Sequence, residues 1–326
     1  MLKFKILIIL LLVPILFGCG NNHQNIWYLT FSPHSGITEV SETWRFHSLG
    51  LQPEAENVLF NLVAPEVIQM DGGYRLFAAR VMIGQKGEKK FEIDSLGVGT
   101  FFSNDGEEWE YESMILENEN PDVADYYSHC YVLELNEGYR IFCQRDDPAK
   151  NIECSEKAYS IWSAYSENGI TWEEEGMVIS LNEMIDLVAH GRAMKLDKDN
   201  YILVFSGNKE CQPGSVFIAR STDGKNWDVD KEELAIYSHD PTIIYENGIL
   251  KIYYKYLMEN FFYVESYDLG KTFSEPKLVE FLDENGDKTL PEDIDFDGVK
   301  YMWTNTYSDW SIPEDNWQFA KFVKES

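Results

Sequence analysis

Five short stretches place ionisable side chains at corresponding points of the chain. They are Ala64-Pro65-Glu66, His129-Cys130, His190-Gly191-Arg192, His239-Asp240-Pro241 and Leu290-Pro291-Glu292. Three of the six histidines fall in consecutive stretches, and a Pro-Glu pair occurs in two others. Neutral imidazoles converging on one point suit a divalent transition ion, which makes His129, His190 and His239 candidate metal ligands. One imidazole beside a carboxylate suits proton transfer instead. A third reading is that each ring hydrogen-bonds its neighbours in a crowded interior. The residue types alone leave all three open.

The carboxylates Glu66, Asp240 and Glu292 suggest a second chemistry. Cleaving a bond between sugars needs one protonated and one ionised carboxyl group, held in environments that separate their pKa values. The plain alternative is that these are solvated acids in an acidic chain. Arg80 and Arg145 close two of the same stretches, and Arg192 lies in a third. Guanidinium forks match carboxylate and sulfate groups, so these arginines, with His129 and His190, are candidate contacts to an anionic sugar. Ion pairing with nearby acids is the competing role.

These residues need a scaffold that brings distant stretches together, and the sequence repeats itself in a way that supplies one. "APEVIQMDGGYRLFAAR" from Ala64 aligns with "HCYVLELNEGYRIFCQR" from His129, down to a shared Tyr-Arg and a terminal Arg. "HGRAMKLDKDNYILVFSG" from His190, "DPTIIYENGILKIYYKY" from Asp240 and "LPEDIDFDGVKYMWTN" from Leu290 follow the same plan. Each reads as a strand, a tight turn of Gly, Asn or Asp, and a second strand. The five hairpins start at intervals of roughly 50 to 65 residues. A unit of three or four strands at such a period is a propeller blade. The expected fold is all-β: a five-bladed β-propeller of four-stranded antiparallel blades over residues 27–326. The last unit is one strand short, and "IWYLTF" from Ile26 is expected to complete it.

A second repeat follows the hairpins: "SNDGEEW" from Ser103, "SENGITW" from Ser166, "STDGKNW" from Ser221 and "SYDLGKTF" from Ser266. This pattern resembles the Asp-box of sialidase-like propellers. The resemblance implies a hairpin between the outer two strands of a blade, with Asp268 accepting turn amides and Phe273 packing between blades. These acids are read as staples, not as catalysts.

The hairpins also resemble the five-bladed glycoside hydrolase superfamily of family 43 arabinanases and xylosidases, invertases and levansucrases. "HDPTIIYENGILKIYYKY" and "ARSTDGKNW" carry that resemblance most closely. It implies a glycan bound at the mouth of the central channel, where the first strands begin. That superfamily takes an Asp from the first blade, an Asp from the next and a Glu from the third. Here those places hold Ala64 with Glu66, His129 and His190, and only Asp240 matches an expected Asp-Pro. Three functions stay open: a glycoside hydrolase-like enzyme, a non-catalytic glycan-binding protein, and a metal-dependent lyase or hydrolase using the histidines.

Composition narrows the partners. A net charge of −29 repels a phosphate backbone, so nucleic acid is not an expected partner. The chain is expected to act as a monomer. Its first residues combine Lys3 and Lys5 with an apolar run to Phe17, shorter than the ~20 residues of a spanning helix. The end of this segment, Leu16-Phe17-Gly18-Cys19, resembles a bacterial lipoprotein signal. The resemblance implies a signal peptide over residues 1–18, lipid on Cys19, a linker over 19–26 and a membrane-anchored, extracytoplasmic domain. Plain secretion or an uncleaved anchor are the alternatives. In an oxidising compartment, Cys130, Cys143, Cys154 and Cys211 allow three pairings. Cys130 and Cys143 flank one turn, so they are read either as a cross-strand bridge or as buried thiols.

Overall fold

The fold was analysed in a computed structural model, which describes residues 34, 36–49, 58–70, 72–86, 91–106, 108–118, 127–146, 159–179, 185, 187–208, 214–257, 259–290, 294–296, 301–306 and 318–325. Residues 38–326 form one compact unit; residues 1–37 form another, in which the Ile37 N–H donates to the His34 carbonyl at 3.4 Å.

Runs of aromatic and β-branched residues cut by Gly, Asn and Asp produce strands throughout, and no helix occurs among the described residues. Blade I is β2 (Val58–Met70), β3 (Gly73–Lys86), β4 (Phe91–Ser103) and β5 (Glu110–Asn118), paired in that order. Blade II is β6 (Ser128–Glu134), β7 (Tyr139–Asp146), β8 (Tyr159–Ser166) and β9 (Glu173–Ile179). Blade III is β10 (Leu187–Asp197), β11 (Asn200–Asn208) and β12 (Ser215–Ser221), with β13 (Asp228–Val229) and β14 (Ala235–Ile236) both on β12. Blade IV is β15 (Ser238–Glu246), β16 (Ile249–Tyr256), β17 (Asn260–Ser266) and β18 (Lys277–Leu282), with β19 (Lys288–Thr289) beyond. Blade V is β20 (Ile294–Phe296), β21 (Tyr301–Thr306) and β22 (Gln318–Lys324), completed by β1 (Val40–Leu49) from the other end of the chain. This is the expected five-bladed propeller.

The closing strand differs from the expectation. β1, not "IWYLTF", pairs antiparallel with β22, and residues 26–31 lie outside the described residues. β1 also pairs parallel with β18, from Val40 opposite Leu278 to Arg45 opposite Leu282, which joins the outer edges of blades IV and V. Glu42 fixes this seam. Its buried carboxylate accepts from Lys251 Nζ at 2.5 Å, Lys324 Nζ at 2.7 Å and Tyr253 Oη at 2.9 Å, drawing on β16 of blade IV and β22 of blade V. Two cations and a phenol compensate one buried anion, as burial of a charge requires.

Hydrophobic cores lie between successive blades. Phe77 of blade I packs with Cys130, Val132 and Ile141 of blade II, and Leu133 and Phe142 of blade II pack with Leu203 and Phe217 of blade III. The four Ser-x-Asp/Asn turns lie between the third and fourth strands and act as expected. In each, the Ser hydroxyl accepts a Gly amide, at 2.8 Å for Gly106, Gly169 and Gly270 and 2.9 Å for Gly224. Asp268 accepts the Thr272 and Lys271 amides, and these bonds hold its carboxyl down at about 2. Two of the terminal tryptophans reach the preceding blade, Trp172 meeting Phe77 at 5.9 Å and Trp227 meeting Phe142 at 5.7 Å, both edge-on, whereas Trp109 packs on its own blade.

Cys130 and Cys143 are directly opposed on β6 and β7 and form a disulfide, which settles the choice left open by the sequence. Cys19, Cys154 and Cys211 lie outside the described residues, as does the whole signal segment.

Candidate functional site

The innermost strand of blades I to IV is broken by a bulge near its start, between Val63 and Glu66, Ser128 and Cys130, Ala189 and Arg192, and His239 and Thr242. One residue at each bulge has a left-handed backbone: Ala64 (φ 50°), His129 (φ 47°), His190 (φ 52°) and Asp240 (φ 49°). A non-glycine residue in this region costs about 1–3 kcal/mol, and such residues concentrate at functional sites. The bulge lifts one side chain out of the pleat in each blade.

Backbone geometry therefore decides between His239 and Asp240, which the sequence places together at this point of blade IV. The position equivalent to His129 and His190 in blade IV is Asp240, not His239. The outcome is two histidines and one aspartate at matching points.

These three side chains meet. The His129 and His190 rings stack with centroids 4.2 Å apart and planes 24° apart. His190 Nδ1 pairs with one oxygen of the Asp240 carboxylate, and Lys255 Nζ lies 3.0 Å from the other. Lys255 is completely buried, Asp240 is 9% exposed and His190 is 24% exposed. Burial pushes the Asp240 carboxyl upward, but His190 and Lys255 together outweigh it and hold the group well below the usual carboxylate range. Asp240 is thus a fixed anion. It orients His190.

The bulge backbones are pinned by the preceding blade. The His190 N–H donates to Gln144 Oε1 at 3.3 Å, and the Asp240 N–H donates to Ser206 Oγ at 3.0 Å. Gln144 and Ser206 hold one position on β7 and β11, and blade I has Ala79 there. The Cys130–Cys143 bridge reinforces the same region, because Cys130 follows His129 and Cys143 precedes Gln144.

Glu66 and Arg192 form a second pair. Arg192 Nη1 donates to Glu66 Oε2 at 3.3 Å, linking blade III to blade I past blade II, while its guanidinium lies 3.7 Å above the Tyr131 ring. The Arg192 side chain is 5% exposed and is paired with Glu66, the ion-pair role of the two weighed for it. Arg145 makes internal contacts of the competing, ion-pair kind. Its guanidinium turns to Tyr127 Oη at 3.0 Å and Glu174 Oε1 at 3.3 Å and stacks 4.4 Å from the Trp162 ring. It is therefore committed within blade II. Both arginines took the ion-pair role.

The metal trio does not assemble. His239 lies against Gly214, where an added Cβ would fall 2.1 Å from His239 Cε1. Burial pushes its imidazole below the ordinary value, with Asp240 opposing. Among the described residues no group of three or more His, Cys, Asp or Glu side chains is arranged to hold a metal ion. The physical reason is the backbone at the bulge, which gives the third place to Asp240 and not to His239. The side chain of Arg80, and Glu292 altogether, lie outside the described residues.

Lys255, Gln144 and Ser206 escaped the sequence reading. Lys255 left a signal, a lone charge in the otherwise apolar run "IYYKY"; Gln144 and Ser206 are ordinary polar residues whose role depends on neighbouring blades.

The same architecture is found among solved glycoside hydrolases. Zg3597, a family 117 glycoside hydrolase produced by the marine bacterium Zobellia galactanivorans, superposes with a TM-score of 0.65 at 13% identity, covering 87% of this chain and 90% of that one. A putative exo-β-1,3-galactanase from Bifidobacterium bifidum gives 0.56 at 13% identity, over 82% and 87% of the two chains. The family 32 β-fructofuranosidase of Bombyx mori gives 0.53 at 16% identity, over 81% of this chain and 59% of that one. No family model and no curated protein sequence matches this chain. At such identities the likeness is one of fold, and it bears out the resemblance read from the repeats.

Proposed function

We propose that this protein is a carbohydrate-active, glycoside hydrolase-like enzyme that handles a glycan at the mouth of the channel, with His190 as its proton-transfer group. The observation carrying this reading is the Asp240 carboxylate held between His190 Nδ1 and the buried Lys255 ammonium. Glycoside cleavage needs a proton donor for the departing oxygen. Asp240 is kept ionised and Glu66 is engaged by Arg192, so neither carboxyl is suited to donate. An imidazole whose Nδ1 is anchored on a carboxylate presents Nε2 as acid or base. A second carboxylate, a part proposed for Glu66 or Glu292, would activate water or stabilise positive charge on the sugar.

The propeller fold of glycoside hydrolases supports the substrate class. The protein is further proposed to be lipid-anchored through Cys19 on the outer side of a membrane. Replacing Cys19 with Ser should then move it from the membrane fraction to the soluble one, or leave it unprocessed.

Turnover tests the reading directly. Purified protein incubated with panels of neutral and anionic oligosaccharides should release shortened products detectable by mass spectrometry. Saturable binding of a glycan at the mouth without any product would replace the enzyme with a binding protein.

A further inference from the structure

A cavity of about 500 Å³ lies at the other end of the channel from the histidines. Its walls include Gln69, Glu134 and Lys195, late in the innermost strands of blades I to III, and Tyr74 and Tyr139 at the starts of the next strands. His129 and Glu134 are separated by five residues of β6, or about 16 Å at the usual rise of a strand. Glu66 is the innermost wall residue, and its ion pair with Arg192 stands between this cavity and the mouth cluster.

We propose that this cavity is a second ligand site, built for one neutral sugar unit. Its volume falls within the range of small-molecule sites, about 300–1,000 Å³. Charges in the walls are balanced: Glu66 faces Arg192, and Lys195, which donates to Asn136 Oδ1 at 2.7 Å, sits with Glu134. Balanced charge gives no preference for an anion. Carboxylates, an amide and phenols offer both donors and acceptors to hydroxyl groups. Tyr74 and Tyr139 hold the same position in consecutive blades and both line the cavity, so aromatic surface is available to the apolar C–H face of a pyranose. Ala193 and Met194 complete an apolar wall from blade III. The site does not rest on the chemistry proposed for the mouth.

Saturation-transfer NMR with D-galactose, D-glucose and D-mannose tests it on the whole protein. At least one of the three should receive magnetisation, and should keep it in His190→Ala, which alters only the mouth. Tyr139→Ala should abolish the transfer. Because Tyr139 also packs against its blade, Glu134→Ala and Gln69→Ala, both at exposed positions, provide the second arm and should weaken binding about tenfold or more. No transfer to any of the three sugars overturns the proposal. So does undiminished transfer in both Glu134→Ala and Gln69→Ala, or transfer lost only in His190→Ala.

Discussion

Lys255 Nζ stands 3.0 Å from Asp240 Oδ2, with the lysine side chain wholly enclosed. A buried ion pair is weak support for stability in itself, but removing one partner strands the other charge away from water. Asp240→Asn should therefore destabilise the protein by about 3–5 kcal/mol in urea unfolding. Lys255→Met should cost less, because His190 still faces the carboxylate. The double variant should lose less than the sum of the two singles. Additive losses would show that the pair is not coupled.

Glu42 makes a prediction with a pH signature. Burial raises its pKa, but Lys251 and Lys324 outweigh burial and lower it below its ordinary value of 4.5. A carboxyl depressed on folding stabilises the native state above its unfolded value and loses that contribution as pH falls through the folded one. Glu42→Gln should thus unfold at lower denaturant than wild type at pH 7, and the gap should narrow below about pH 4.5. A gap independent of pH would assign the loss to packing alone.

The Cys130–Cys143 bridge closes a loop with a sequence separation of 13. Loops of that size gain about 3 kcal/mol from cross-linking, so a Cys130→Ala/Cys143→Ala double variant should lose roughly that amount in thermal or urea unfolding. The same variant should lower turnover beyond any loss of folded protein, since the bridged residues adjoin His129 and Gln144. Unchanged activity per folded molecule would confine the bridge to stability.

The sequence made the blades legible because each hairpin carries its own turn chemistry and each Ser-x-Asp turn repeats. It located the mouth for the same reason: positions equivalent in a ring face a common centre. What it missed depends on single-residue geometry. The repeat offers both His239 and Asp240 at this point, and only backbone angles reveal that Asp240 shares the conformation of His129 and His190. Arg145 and Arg192 were legible as functional cations only while their aromatic and acidic partners in other strands were unknown. β1 was missed as the closing strand because "VSETWRFHSL" pairs with the far end of the chain and carries no local turn signal.

The most direct measurement of the central claim is kcat/KM for the best glycan substrate with wild-type protein and His190→Gln. A positioned general acid or base contributes about 10²–10⁴-fold, so the variant should lose that factor while its melting temperature stays near wild type. Full activity in His190→Gln would contradict the assignment of His190 as the proton-transfer group.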